Sequence, residues 1–161
     1  MGEEMIIISH RGNIDGPNPK KENKPSYIDI ALNKEFDAEI DVWYLDKKWW
    51  LGHDEPQYKT TYRWIFKRHA KLWIHCKELS VLHKLTKRDG KNIWNRNLNY
   101  FWHENDSYTL TSKGFIWTFP RRTLTDNSIC VYPEKFNGDR ADLKQCYGIC
   151  SDIVKYWRTV W

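Results

Sequence analysis

The chain has 161 residues, enough to bury one sizeable core and too few for two independent domains. Charged residues make up 29% and aromatic residues 16%, ten tryptophans among them, which excludes a disordered polymer and fits a folded soluble domain. The net charge of +5 is scattered rather than gathered in a long basic run, so it implies attraction to small anions such as a phosphorylated substrate and argues against a nucleic-acid-binding arm.

Residues 1–8 carry acids at Glu3 and Glu4 and too short an apolar run for a secretory signal, and no later stretch is long enough to span a membrane. The expectation is a cytoplasmic protein without a transmembrane segment. Its cysteines, Cys76, Cys130, Cys146 and Cys150, lack paired Cys-x-x-Cys spacing, and in a reducing compartment they are expected as free thiols. Nothing in the sequence points to a protein partner.

Residues 5–9 form an apolar, largely β-branched run that reads as a buried strand and ends on His10-Arg11-Gly12. Residues 13–24, rich in Gly, Pro, Asn and Lys, read as an exposed loop with Glu22-Asn23 near its end. The spacing of Ile28, Ala31 and Leu32 predicts a short helix over residues 27–34. Residues 37–43 then read as a strand. In extended backbone Glu39 and Asp41 lie on one face, with Ala38, Ile40 and Val42 on the other. Such alternation describes an ordinary half-buried strand, and it equally sets two carboxylates within reach of one divalent cation, Ca²⁺ or Mg²⁺ in preference to Zn²⁺.

Residues 44–51, broken by Asp46-Lys47-Lys48, read as a hairpin that delivers Gly52-His53-Asp54, a pairing that turns and helix caps also use. Thr60 or Thr61 can cap a helix reaching Ala70. Residues 71–77 alternate Leu72, Ile74 and Cys76 with Trp73, His75 and Lys77 as a further strand. Residues 78–89 return to helical spacing, with Gly90 as the stop. This alternation predicts a parallel sheet with right-handed crossovers. Residues 99–103, 115–119, 128–132 and 148–152 read as strands with links mostly too short for full helices. Residues 142–145 read as a helical turn and 153–161 as a terminal helix.

Taken in order, Ser9-His10-Arg11-Gly12, Glu22-Asn23, Glu39-Ile40-Asp41-Val42, Gly52-His53-Asp54, the strand-borne Lys77 and the closing Gly148-Ile149-Cys150-Ser151-Asp152 resemble the motif set of the glycerophosphodiester phosphodiesterase family. That family is similar in its motifs to phosphatidylinositol-type phospholipases C and spider-type phospholipases D. The likeness covers residues 5–77 and the last strand and is poor between them. It implies an α/β fold, a compact, reduced TIM-like (β/α) barrel with a shortened second half, minimal outer helices and room for fewer than eight strands. It also implies a Ca²⁺- or Mg²⁺-dependent hydrolase cleaving a small-molecule glycerophosphodiester or related phospholipid headgroup ester, by water attack or through a cyclic phosphate.

By that resemblance His10 is the base and His53 the acid, roles that suit imidazole because its pKa lies near neutrality. Glu39 and Asp41 hold the cation and Glu22 joins its shell, while Arg11, Lys77 and Asn23 bind phosphate. Asp54 orients His53 or belongs to the turn alone. Where the family has a third carboxylate ligand, two positions before the lysine, this chain has His75. Three readings stay open: His75 completes the metal site, Glu104 or Asp106 substitutes for it, or His75 is a packed interior residue. The aromatic set Trp43, Tyr44, Trp102, Trp117 and Phe119 serves as core or as a stacking surface for a choline-like or apolar headgroup. A catalytically degenerate barrel that binds a phosphorylated ligand is the alternative function.

Overall fold

Strand β1 (Ile6–His10) lies between two parallel neighbours, β2 (Asp37–Leu45) and β10 (Gly148–Ser151). A run of isoleucines needs cover on both faces, and a central parallel position supplies it. The computed structural model describes residues 5–87, 93–136, 138 and 140–161 and extends from these three strands in both directions. Strand β5 (Leu72–Cys76) pairs with the other edge of β2, and β6 (Asn99–Phe101) pairs with β5. On the far side β9 (Ser128–Val131) follows β10, and β8 (Ile116–Thr118) follows β9. The parallel order is therefore β6-β5-β2-β1-β10-β9-β8, with the carboxyl ends of the strands on one rim, where open α/β sheets bind their ligands.

Three antiparallel strands complete the sheet. Strand β2 is long enough to pair with β1 at its start and with β3 (Lys48–Leu51) at its end, through a turn in which Asp46 and Lys47 both take positive φ. Strand β4 (Tyr58–Thr60) continues that hairpin, and β7 (Tyr108–Leu110) borders β8.

The two faces of β2 divide the molecule. Ala38, Ile40 and Val42 face outward and join Leu72, Ile74 and Cys76 of β5 beneath Ile28 of helix α1 (Pro25–Asn33) and Val81 and Leu85 of helix α3 (Leu79–Thr86). Each fully buried Ile or Leu of this layer is worth about 1.5–3 kcal/mol relative to exposure. Ile65 of helix α2 (Tyr62–Phe66) joins the same layer, and the Thr61 hydroxyl accepts the Trp64 N–H at 3.1 Å to cap that helix. The concave face carries a second cluster around Ile8, Trp73, Phe101, Trp117, Ile129 and Cys150.

The expected reduced TIM-like (β/α) barrel is not the architecture adopted. The sheet is mixed, has ten strands rather than fewer than eight, and curls into a half-barrel with five short helices among the described residues. The longest, α1, has nine residues, whereas α2 and helix α4 (Arg140–Leu143) have five and four and helix α5 (Val154–Val160) has seven. Parallel neighbours usually need a helical crossover of about a dozen residues or more, and after β6 the links are too short for one. The chain turns back instead through antiparallel β7 and β8, and residues 119–127 reach β9 without a helix. The sequence reading also missed β4 and β7, and its expected helix end at Asp89 and Gly90 lies outside the described residues.

Candidate functional site

Strand register brings the acids and imidazoles together. Pairing of β1 with β2 sets His10 opposite Glu39, and pairing of β2 with β5 sets Asp41 opposite His75. Ligand atoms of Glu39, Asp41 and His75 all lie within 4.8 Å of one another, so this buried group can hold a metal ion. Glu39 Oε2 is buried and accepts no hydrogen bond from any described residue; its ion-pair partner, His10 Nε2, lies 3.9 Å away. A carboxylate oxygen so placed costs several kcal/mol unless a cation meets it, which makes the donor set a fit for a metal ion. Glu104 and Asp106, the expected alternatives to His75, are exposed and do not join the group.

Asp41 is the most heavily partnered of the three. His75 Nδ1 lies 2.9 Å and Lys77 Nζ 3.7 Å from its Oδ1, and Arg11 Nε lies 3.1 Å from its Oδ2. Burial alone would raise the Asp41 pKa, but the hydrogen bond with His75 and the nearby positive charges outweigh it and hold the carboxyl well below the usual range. Glu39 moves the other way, pushed up by burial and by the Asp41 charge beside it.

Two expected roles are corrected by the geometry. Asn23 is fully buried and spends its amide on Asp41: Nδ2 donates to Asp41 Oδ2 at 2.8 Å, and Oδ1 accepts the Asp41 backbone N–H at 2.9 Å. It holds a carboxylate in place rather than presenting its amide to phosphate. Glu22 stands apart from the metal group. Its Oε2 accepts from Arg11 Nη1 at 3.2 Å and its Oε1 from Asn13 Nδ2 at 2.9 Å, so it aims the guanidinium. Arg11 has φ of 54°, and Gly12 follows at 89°, where a Cβ would sit 2.8 Å from Tyr27 Cδ1.

His10 Nδ1 lies 2.7 Å from Asp152 Oδ1, and the Tyr132 hydroxyl lies 3.2 Å from the same nitrogen. Burial disfavours the imidazolium, but the Asp152 hydrogen bond and the Glu39 charge outweigh it and raise the His10 pKa. His53 sits on the loop after β3. The Gly52 N–H donates to the Asp41 carbonyl at 3.1 Å, the Trp43 indole donates to the Gly52 carbonyl, and a Cβ at Gly52 would lie 2.0 Å from the Glu55 carbonyl oxygen. His53 Nδ1 lies 2.7 Å from Asp54 Oδ1, so the pair is a local one. Partial burial and the charges of Arg11 and Lys77 lower the His53 pKa.

His10, Arg11, Glu39, His53, His75 and Lys77 line one cleft of about 450 Å³ at the carboxyl rim. Trp102, His103, Trp117, Phe119 and Tyr132 give the same cleft an aromatic part of its lining. Of the expected aromatic set, Trp43 and Tyr44 do not line it; Tyr44 packs 4.9 Å from Trp49. Asp152 and Tyr132 carried no assigned role in the sequence. Asp152 had one available signal, its place at the end of the closing Gly148-Ile149-Cys150-Ser151-Asp152 segment; in the structure Ser151 pairs with Ser9, which puts Asp152 beside the end of β1.

All four cysteines are buried and free, as expected. No helix among the described residues is long and apolar enough to cross a membrane. Comparison of the chain with family models, curated proteins and solved structures finds no match in any of the three.

Proposed function

We propose that this cleft cleaves a phosphodiester with the help of a divalent cation. The observation that carries the reading is the convergence of two imidazoles, a guanidinium and an ammonium on one cleft above a buried carboxylate pair. The substrate class, a glycerophosphodiester or related phospholipid headgroup ester, follows from the motif resemblance. A volume of about 450 Å³ lies within the roughly 300–1,000 Å³ usual for small-molecule sites.

Arg11, aimed by Glu22, forks two phosphoryl oxygens, and Lys77 adds a fixed positive charge. His10 and His53 are the two proton carriers, one relieving the attacking oxygen and the other supplying the leaving oxygen. Asp152 occupies His10 Nδ1, which leaves Nε2 for exchange with substrate. A cation held by Glu39, Asp41 and His75 would stabilise the charge that builds on the phosphoryl oxygens; carboxylate ligands alone would suit Ca²⁺ or Mg²⁺. The aromatic side chains of the lining offer a face to the leaving headgroup.

Binding of a phosphorylated ligand without turnover is the second reading. It is favoured by His75, which partners Asp41 directly where the resembling family has a third carboxylate. Phosphorus NMR of glycerophosphodiesters incubated with the protein and a panel of divalent ions separates the two. New monoester or cyclic-ester resonances support cleavage. Unchanged spectra, with the protein still stabilised by phosphate, leave only binding.

A further inference from the structure

His75 differs from the other two members of the metal group in the kind of atom it offers. The residue is 8% exposed, and its ring runs nearly parallel to two neighbours, Phe101 at 5.3 Å and 5° and His103 at 4.5 Å and 11°, which are themselves 6.0 Å apart. On one edge Nε2 lies 3.3 Å from the His103 carbonyl oxygen, an acceptor that calls for an N–H. The other edge then turns Nδ1 toward Asp41 Oδ1 at 2.9 Å and Glu39 Oε1 at 3.9 Å. A ring nitrogen that donates to a backbone carbonyl while its partner nitrogen faces carboxylates is the outer-shell pattern of a metal-ligating histidine. A cation bound there takes the place of the hydrogen bond that Nδ1 otherwise makes to Asp41 Oδ1 at 2.9 Å.

We propose that His75 Nδ1 is the third protein ligand and that the site therefore selects a first-row transition-metal dication, of the Mn²⁺, Co²⁺ and Zn²⁺ class, over Ca²⁺ and Mg²⁺. The inference rests on the cation site of the proposed function and specifies its occupant. Imidazole nitrogen binds Zn²⁺ at about 2.0–2.1 Å, whereas Ca²⁺ prefers six to eight oxygens at about 2.3–2.6 Å. Mg²⁺ prefers oxygen and retains its water. Arg11 and Lys77 already offset the Asp41 charge, which weakens the ionic attraction on which a hard ion depends. Donation from imidazole nitrogen is less affected and rises along the transition series. Glu39, whose Oε1 faces His75 Nδ1 and whose Oε2 accepts no hydrogen bond from the described residues, supplies the remaining anionic ligand.

The test uses the full chain stripped with a chelator and no substrate. Competition titrations with Mn²⁺, Co²⁺, Zn²⁺, Mg²⁺ and Ca²⁺ are expected to show the transition ions binding roughly tenfold or more tighter than Ca²⁺. Electron spin-echo envelope modulation of the Mn²⁺ form is expected to show a directly bound nitrogen. That signal should persist in His10→Asn and vanish in His75→Glu, which should also gain relative affinity for Ca²⁺. Should His75→Glu fail to fold, ¹⁵N-histidine labelling of the unaltered chain together with His10→Asn reads the same ligand. Ca²⁺ or Mg²⁺ binding as tight as Mn²⁺, a missing nitrogen coupling, or no binding of any ion overturns the proposal. Metal selectivity as stated with no cleavage of any diester would instead sink the enzymatic reading and leave this one standing.

Discussion

His10 and Asp152 are 142 residues apart in the chain, yet the imidazole Nδ1 and the carboxylate Oδ1 meet at 2.7 Å. Neighbouring parallel strands β1 and β10 end side by side, so two residues just past their pairing register become partners. Asp152 also accepts from Asn13 Nδ2 at 2.8 Å, and its pKa falls because the bonds from His10 and Asn13 outweigh the effect of burial. The arrangement fixes which imidazole nitrogen faces the cleft.

Replacing Asp152 with Asn should therefore act through His10. A loss of roughly 10²-fold or more in kcat is expected, with KM little changed. A merely structural role would not move the His10 titration, so the check is the ¹⁵N spectrum of labelled histidine across pH. In Asp152→Asn the His10 pKa should fall, because the carboxylate that raised it is gone.

Asn23 tests how the acid pair is held. Asn23→Ala removes both hydrogen bonds to Asp41 at a fully buried position. The expected destabilisation is about 2–4 kcal/mol, measured by urea unfolding, because a buried donor and a charged acceptor lose their partner. If Asn23 instead contacted phosphate alone, stability would be unchanged and only KM would rise.

Asp37 gives a pH signature away from the cleft. Its Oδ2 accepts the Trp73 indole N–H at 2.9 Å, and burial lifts its pKa from 3.8 to about 6 against that bond and the Lys71 charge. The folded state therefore binds this proton more tightly than the unfolded chain. The resulting stability is complete below pH 4 and is lost as pH rises through 6. Asp37→Asn cannot ionise and keeps an acceptor for Trp73. Its stability relative to the unaltered chain should improve by on the order of 2 kcal/mol between pH 4 and pH 8, read from thermal or urea unfolding.

The strands that carry the site were legible because each combined burial with polar alternation. Glu39 and Asp41 alternate with Ala38, Ile40 and Val42, and Trp73, His75 and Lys77 alternate with Leu72, Ile74 and Cys76. The Asp46-Lys47 turn was readable from local chemistry, and so was a threonine cap at 60 or 61, although the helix it starts ends at Phe66 rather than Ala70. Strands β4 and β7 were not, since three residues are too few to establish a period. The half-barrel was illegible for a related reason: strand pairing order after β6 depends on long-range closure, and no local signal distinguishes a parallel return from the antiparallel β7–β8 hairpin. Asn23 and Glu22 show the same limit at the site. Their residue types announce polarity, but only the fold shows that one grips Asp41 and the other aims Arg11.

His10 and His53 are proposed to divide the two proton transfers at one phosphodiester. The most direct measurement compares His10→Asn and His53→Asn on two diesters, one losing a glycerol-type alcohol and one losing nitrophenolate, which needs no proton to depart. The variant lacking the general acid should lose activity on the first and retain much of it on the second, while the variant lacking the base should fail on both. Equal activity of both variants and the unaltered chain on both substrates would contradict the account.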